Sequence, residues 1–130
     1  MTDPFDQTLS AWPPQACAVF NKIRALILET AQTAGVGTLE ESLKWHQPAW
    51  RPQKPRTGST LRLNWDAGAP NTIALFVDCK TTIAAEMFAA YPYDFMYESN
   101  RGLRLHLGAP LPEQAIAYLA ERTFTYHRKS

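Results

Sequence analysis

The sequence predicts an α+β domain, with a five-stranded antiparallel sheet and two main helices, N- and C-terminal, packed on one face. Three observations carry that expectation. Apolar residues recur at three- and four-residue steps in an opening and a closing segment, the signature of amphipathic helices. Between them, short segments alternate apolar and polar residues, as half-buried strands do. Clusters of Gly, Pro, Asn and Asp separate those segments by turns. No internal repeat or second domain is visible, so residues 1–130 read as one domain, with 1–12 as a loose arm.

Pro13 and Pro14 introduce the first helix, because proline suits the first helical position. Ala16, Val19, Phe20, Ile23, Leu26, Ile27 and Thr30 form its inner face, and Gly35 and Gly37 stop it. The first strand is predicted over 39–46, with Leu39, Glu41, Leu43 and Trp45 on one side and Glu40, Ser42, Lys44 and His46 on the other. Pro48 should end its pairing, because proline has no N–H to give. A loop through Pro48, Pro52, Pro55 and Gly58 leads to the second strand, 59–66, with Leu61, Leu63 and Trp65 on one face. The third strand, Thr72–Cys79, is apolar on both faces and therefore central. Residues 81–90 suit a short helix with Thr81 as N-cap. Tyr93–Ser99 and Leu103–Leu107 flank the hairpin loop Asn100-Arg101-Gly102. The last helix opens near Pro112, buries Ala115, Ile116, Leu119 and Ala120, and closes at His127, Arg128 and Lys129, whose charges complement its dipole.

A chain of 130 residues buries roughly two-thirds of its unfolded surface and needs no disulfide or metal to fold. With 45% apolar and 19% charged residues it is globular rather than disordered. A formal charge of +1 argues against nucleic acid as a partner. Cys17 and Cys79 show no paired spacing and read as reduced, buried and inert thiols. The first residues lack the basic and apolar regions of a signal peptide. No stretch reaches the ~20 apolar residues of a membrane span. The expected location is the cytoplasm, with no membrane partner.

Strand phase places Lys44, His46, Arg62, Asn64, Arg104 and His106 on the sheet face away from the helices, around Phe76. An apolar centre ringed by cations and imidazoles suits an acidic protein or an anionic small molecule. An ordinary solvated face is the competing reading. Trp45 and Trp65 share the leucine-bearing face and belong to the core, whereas Trp50 has no strand phase and is assigned to the edge of the binding surface. The loop carrying Arg51, Lys54 and Arg56 lacks phosphate-loop spacing. His46, His106 and His127 form no metal-binding pair, and no nucleophile motif is present, so no catalytic or metal residue is assigned.

The helix FNKIRALILETA, the segment ESLKWHQPAW and the glycine before the next strand, Gly58, resemble the YdhG-like family of small bacterial proteins, a domain of unknown function. The resemblance covers roughly residues 16–125 and implies a frataxin-like fold. One YdhG-like member is described as an intracellular iron chaperone, so the resemblance also implies iron as a ligand. Such binding uses an acidic ridge, and here residues 14–34 hold one acid, Glu29, against Lys22 and Arg24, with Glu40 and Glu41 following. Hard cations prefer clustered oxygen ligands. The expected function is a non-catalytic binding or accessory module, monomeric or weakly dimeric and without a cofactor. A frataxin-type iron chaperone and a small-molecule enzyme are the alternatives.

Overall fold

The computed structural model describes residues 3–128. In chain order its elements are α1 (Asp6–Leu9), α2 (Pro14–Ala34), β1 (Leu39–Lys44), β2 (Gln47–Pro52), β3 (Leu61–Asn64), β4 (Thr72–Phe76), α3 (Ile83–Ala90), β5 (Met96–Glu98), β6 (Gly102–His106) and α4 (Glu113–Phe124). All the strands join one antiparallel sheet in the order β1-β2-β3-β4-β6-β5. The class is α+β, but the sheet has six strands rather than five.

The extra strand arises from a turn without the usual sequence signals. β1 ends at Lys44, and Trp45 and His46 take φ values of 54° and 65°. Two consecutive left-handed residues make a type I′ hairpin turn, which normally carries Asn-Gly. β2 then runs back along β1, from Lys44↔Gln47 to Leu39↔Pro52. Its prolines are tolerated because of phase. Antiparallel pairs alternate between hydrogen-bonded and non-hydrogen-bonded. The Gln53 N–H donates to the Thr38 carbonyl at 2.9 Å, so Leu39↔Pro52 and Leu43↔Pro48 are the non-hydrogen-bonded kind. The β2–β3 ladder pairs only Ala49 and Trp50, so neither proline owes an N–H there.

The turn also exchanges two tryptophans. Across it the inward phase passes from Leu39, Glu41 and Leu43 to Pro48, Trp50 and Pro52. Trp50, expected at the edge of the binding surface, is 0% exposed and lies in the core, with its ring centroid 5.3 Å from that of Phe5. Trp45, expected in the core, is 84% exposed. Trp65 is half-buried, and its Nε1 donates to the Pro70 carbonyl at 3.0 Å.

The core lies between the leucine face of the sheet and the helices. α2 buries Ala16, Val19, Phe20, Ile23, Ile27 and Ala31, and Gly35 closes it at φ 68°. α4 buries Ala115, Ile116, Leu119 and Ala120, the predicted stripe, and adds Thr123 and Phe124. It stops at Phe124, short of the predicted close: His127 and Arg128 lie beyond its end, and Lys129 lies outside the described residues. α3 adds Ile83, Ala84 and Met87. Residues 3–12 are not a loose arm: Phe5 is fully buried and meets Phe20 edge-on at 5.6 Å. The β5–β6 loop has the predicted three residues but sits one earlier, Ser99–Arg101, and Ser99 takes the positive φ of 56°. Among the described residues no helix is long and apolar enough to cross a membrane.

Candidate binding surface

Leu61, Leu63, Ile73, Leu75, Leu103 and Leu105 all point to the helices, so the intervening residues of β3, β4 and β6 form the open face. Arg62 sits near its centre. It pairs across the ladder with Phe76, and its guanidinium lies 5.2 Å from that ring centroid. Such stacking holds the cation flat against the sheet. One arm of the guanidinium donates to Gln47 Oε1 at 2.6 Å. Partial burial and the neighbouring Arg101 push its pKa below the usual arginine range, against the pull of Asp78. Arg62 is therefore a partly desolvated cation with only an amide as side-chain hydrogen-bond partner among the described residues.

Around it lies a shallow cleft of about 230 Å³, shared by Lys44, Trp45, Arg62, Asp78, Cys79 and Arg101 among others. Three cations and one acid give this end of the face a positive potential despite a net charge of only +1. Lys44 and Arg101 make no ion pair among the described residues. Trp45 offers a broad apolar surface beside them.

The predicted set is thereby divided. Lys44 and Arg62 meet in the cleft, while Asn64 lies on the same face opposite Ala74. His46 is exposed in the β1–β2 turn rather than on a strand. Arg104 and His106 lie toward the far edge and share a second shallow cavity with Tyr93 and Met96. Arg104 is already occupied, donating to Glu98 Oε1 at 2.8 and 3.1 Å and to Thr72 Oγ1 at 2.8 Å. Trp50 belongs to the opposite face. Cys79, expected to be buried, is exposed at the cleft, and Cys17 is half-buried with its thiol directed at the Leu9 carbonyl, 3.2 Å away. Trp45 and Arg101 are the residues the sequence reading missed, because both sit in turns where alternation carries no information.

Among the described residues no three His, Cys, Asp or Glu side chains gather where a metal ion could sit. Glu41 is held by other groups: Arg24 donates to both its oxygens at 2.8 Å and Trp50 Nε1 donates at 2.9 Å. No protein-family model, curated protein or solved structure matches the chain.

The turn itself is strained. Bulky residues in the left-handed region cost of order 1–2 kcal/mol each. Replacing Trp45-His46 by Asn-Gly should therefore raise stability by about 1–2 kcal/mol, measured by denaturant unfolding. The same exchange removes the exposed ring from the cleft. A neutral or destabilising result would mean that the turn is not under strain.

Proposed function

We propose that this protein is a non-catalytic binding module whose open sheet face, centred on the cleft at Arg62, captures an acidic segment of a protein partner. The observation that supports this reading is the exposed Trp45 beside three cations, none of which has an ion-pair partner among the described residues. The cleft is smaller than the roughly 300–1,000 Å³ pockets that enclose small ligands. It suits one or two acidic side chains presented by a larger surface. Trp45 would supply the apolar contact, and aromatic and arginine residues are typical anchors of such sites. The helix-sheet order is compatible with YdhG-like membership and a frataxin-like fold, and both are part of this reading. An iron-handling role draws less support, because Glu41 is engaged by Arg24 and Trp50.

The test uses a glutamate-rich peptide and the emission of Trp45. Binding should blue-shift that emission, weaken steeply with added salt, and fall at least tenfold in Arg101→Glu. Affinity indifferent to both salt and Arg101→Glu would overturn the proposal.

A further inference from the structure

The two edges of the sheet are protected unequally. β5 is three residues long and follows Pro92 by only a few residues, which leaves a foreign strand little to pair with. β1 is six residues long, pairs with β2 one-to-one without a bulge, and contains no proline. Short length and proline are two of the devices that blunt natural edge strands, and β1 has neither; its inward-facing charge, Glu41, is paired with Arg24. The ladder phase that accommodates Pro48 and Pro52 also fixes which backbone groups face outward: those of Leu39, Glu41 and Leu43. Their N–H groups have no backbone acceptor among the described residues.

The side chains along this edge are self-complementary. Leu39 and Leu43 are equidistant from Glu41 and lie on the helix side of the strand. Leu43 is 45% exposed. Beside the edge runs a groove between α2 and β1 lined in part by Leu28, Ala31 and Leu39, with Leu28 itself exposed. We propose that β1 is a homodimerisation edge, pairing antiparallel with β1 of a second copy about a two-fold axis at Glu41. In that register each outward-facing residue exchanges hydrogen bonds with its opposite number. Leu43 of each copy covers Leu39 of the other, at the mouth of the groove. On the open face Glu40 meets Ser42 of the second copy, so no like charges oppose there. The two Glu41 carboxylates near the axis are each already neutralised by Arg24. An isologous pairing closes after two copies, so it yields a dimer rather than a filament. This inference stands on the free edge and does not depend on the binding role of the open face.

Sedimentation velocity over low-micromolar to near-millimolar protein tests it. An edge of this length is at the small end of interface sizes, so the wild-type mass should climb from monomer toward dimer with concentration. Leu43→Glu puts an acid opposite Leu39 and beside Glu41 of the second copy, and should hold the protein at monomer mass with an unchanged melting temperature. Leu43→Pro removes an outward N–H that β2 does not use, and should do the same; if it impairs folding, Leu43→Glu decides. A wild type that stays monomeric throughout, or a Leu43→Glu variant that associates like wild type, would overturn the proposal. Loss of association in Phe76→Ser with its retention in Leu43→Glu would move the interface to the open face and overturn it as well.

Discussion

Gly58→Ala is expected to cost about 3 kcal/mol or more. A Cβ at this position would collide with the carbonyl oxygen and carbon of Phe124. Both are backbone atoms, so no rotamer change relieves the clash. The approach is this close because the segment leading into β3 runs along the end of α4 and is hydrogen-bonded to it. Ser59 N–H donates to the Thr123 carbonyl at 2.8 Å, and His127 N–H donates to the Thr57 carbonyl at 3.1 Å. Accommodating a methyl group would pull these bonds apart and lift Phe124, a fully buried core residue. For a domain of this size the loss corresponds to a fall in Tm of roughly 10 °C or more. Gly108→Ala is the control, since a Cβ there meets nothing within 4 Å. Denaturant melts that place Gly58→Ala within 0.5 kcal/mol of wild type would refute the account.

The parts of the fold that were legible in the sequence are those ruled by one local period. The stripe of α2 was readable from three- and four-residue spacing, and Gly35 from its position after it. Within β3, β4 and β6 the leucines and isoleucines set the phase, so Arg62, Asn64, Arg104 and His106 fell on the side expected. Local period is no guide where phase must be carried through a turn. Trp45-His46 lacks the Asn or Gly that announces a two-residue hairpin, so the alternation of residues 39–46 runs unbroken through the residues that reverse the chain. That one turn hid β2 and exchanged the roles of Trp45 and Trp50. It also concealed the cleft, which needs Trp45 outside and Arg101 brought across from another hairpin. A segment that breaks a local rule and holds an exposed aromatic is where function is expected to outweigh stability. Phe5 was missed for a different reason: its partners, Phe20 and Trp50, are supplied by tertiary structure alone.

Distance in sequence equally hides the contact on which the second large effect depends. Arg24 of α2 donates to both Glu41 oxygens at 2.8 Å and to Asp3 Oδ2 at 2.6 Å, with its guanidinium 4.9 Å from the centroid of the Phe5 ring. The Arg24 and Glu41 side chains are only 19% and 22% exposed. Glu41 faces inward on β1, so without Arg24 its charge would sit on the core side with only Trp50 Nε1 as donor. Arg24→Met should therefore cost about 2–3 kcal/mol at neutral pH, somewhat less than breaking a fully buried pair. Arg24 hydrogen bonds hold the Glu41 and Asp3 carboxyls below the usual carboxylate range, against the opposing effect of burial. Groups with depressed folded pKa values stabilise the protein above their unfolded values, near 4, and lose that contribution as pH falls through the folded ones. Wild type should accordingly weaken on acidification, while Arg24→Met, whose orphaned carboxylates are relieved by protonation, should weaken less. The gap between the two proteins should close as the pH drops from 7 toward 3. Urea titrations at both ends of that range measure it. A gap of the same size at both would show that Arg24 acts through its hydrocarbon stem and the Phe5 ring rather than through charge.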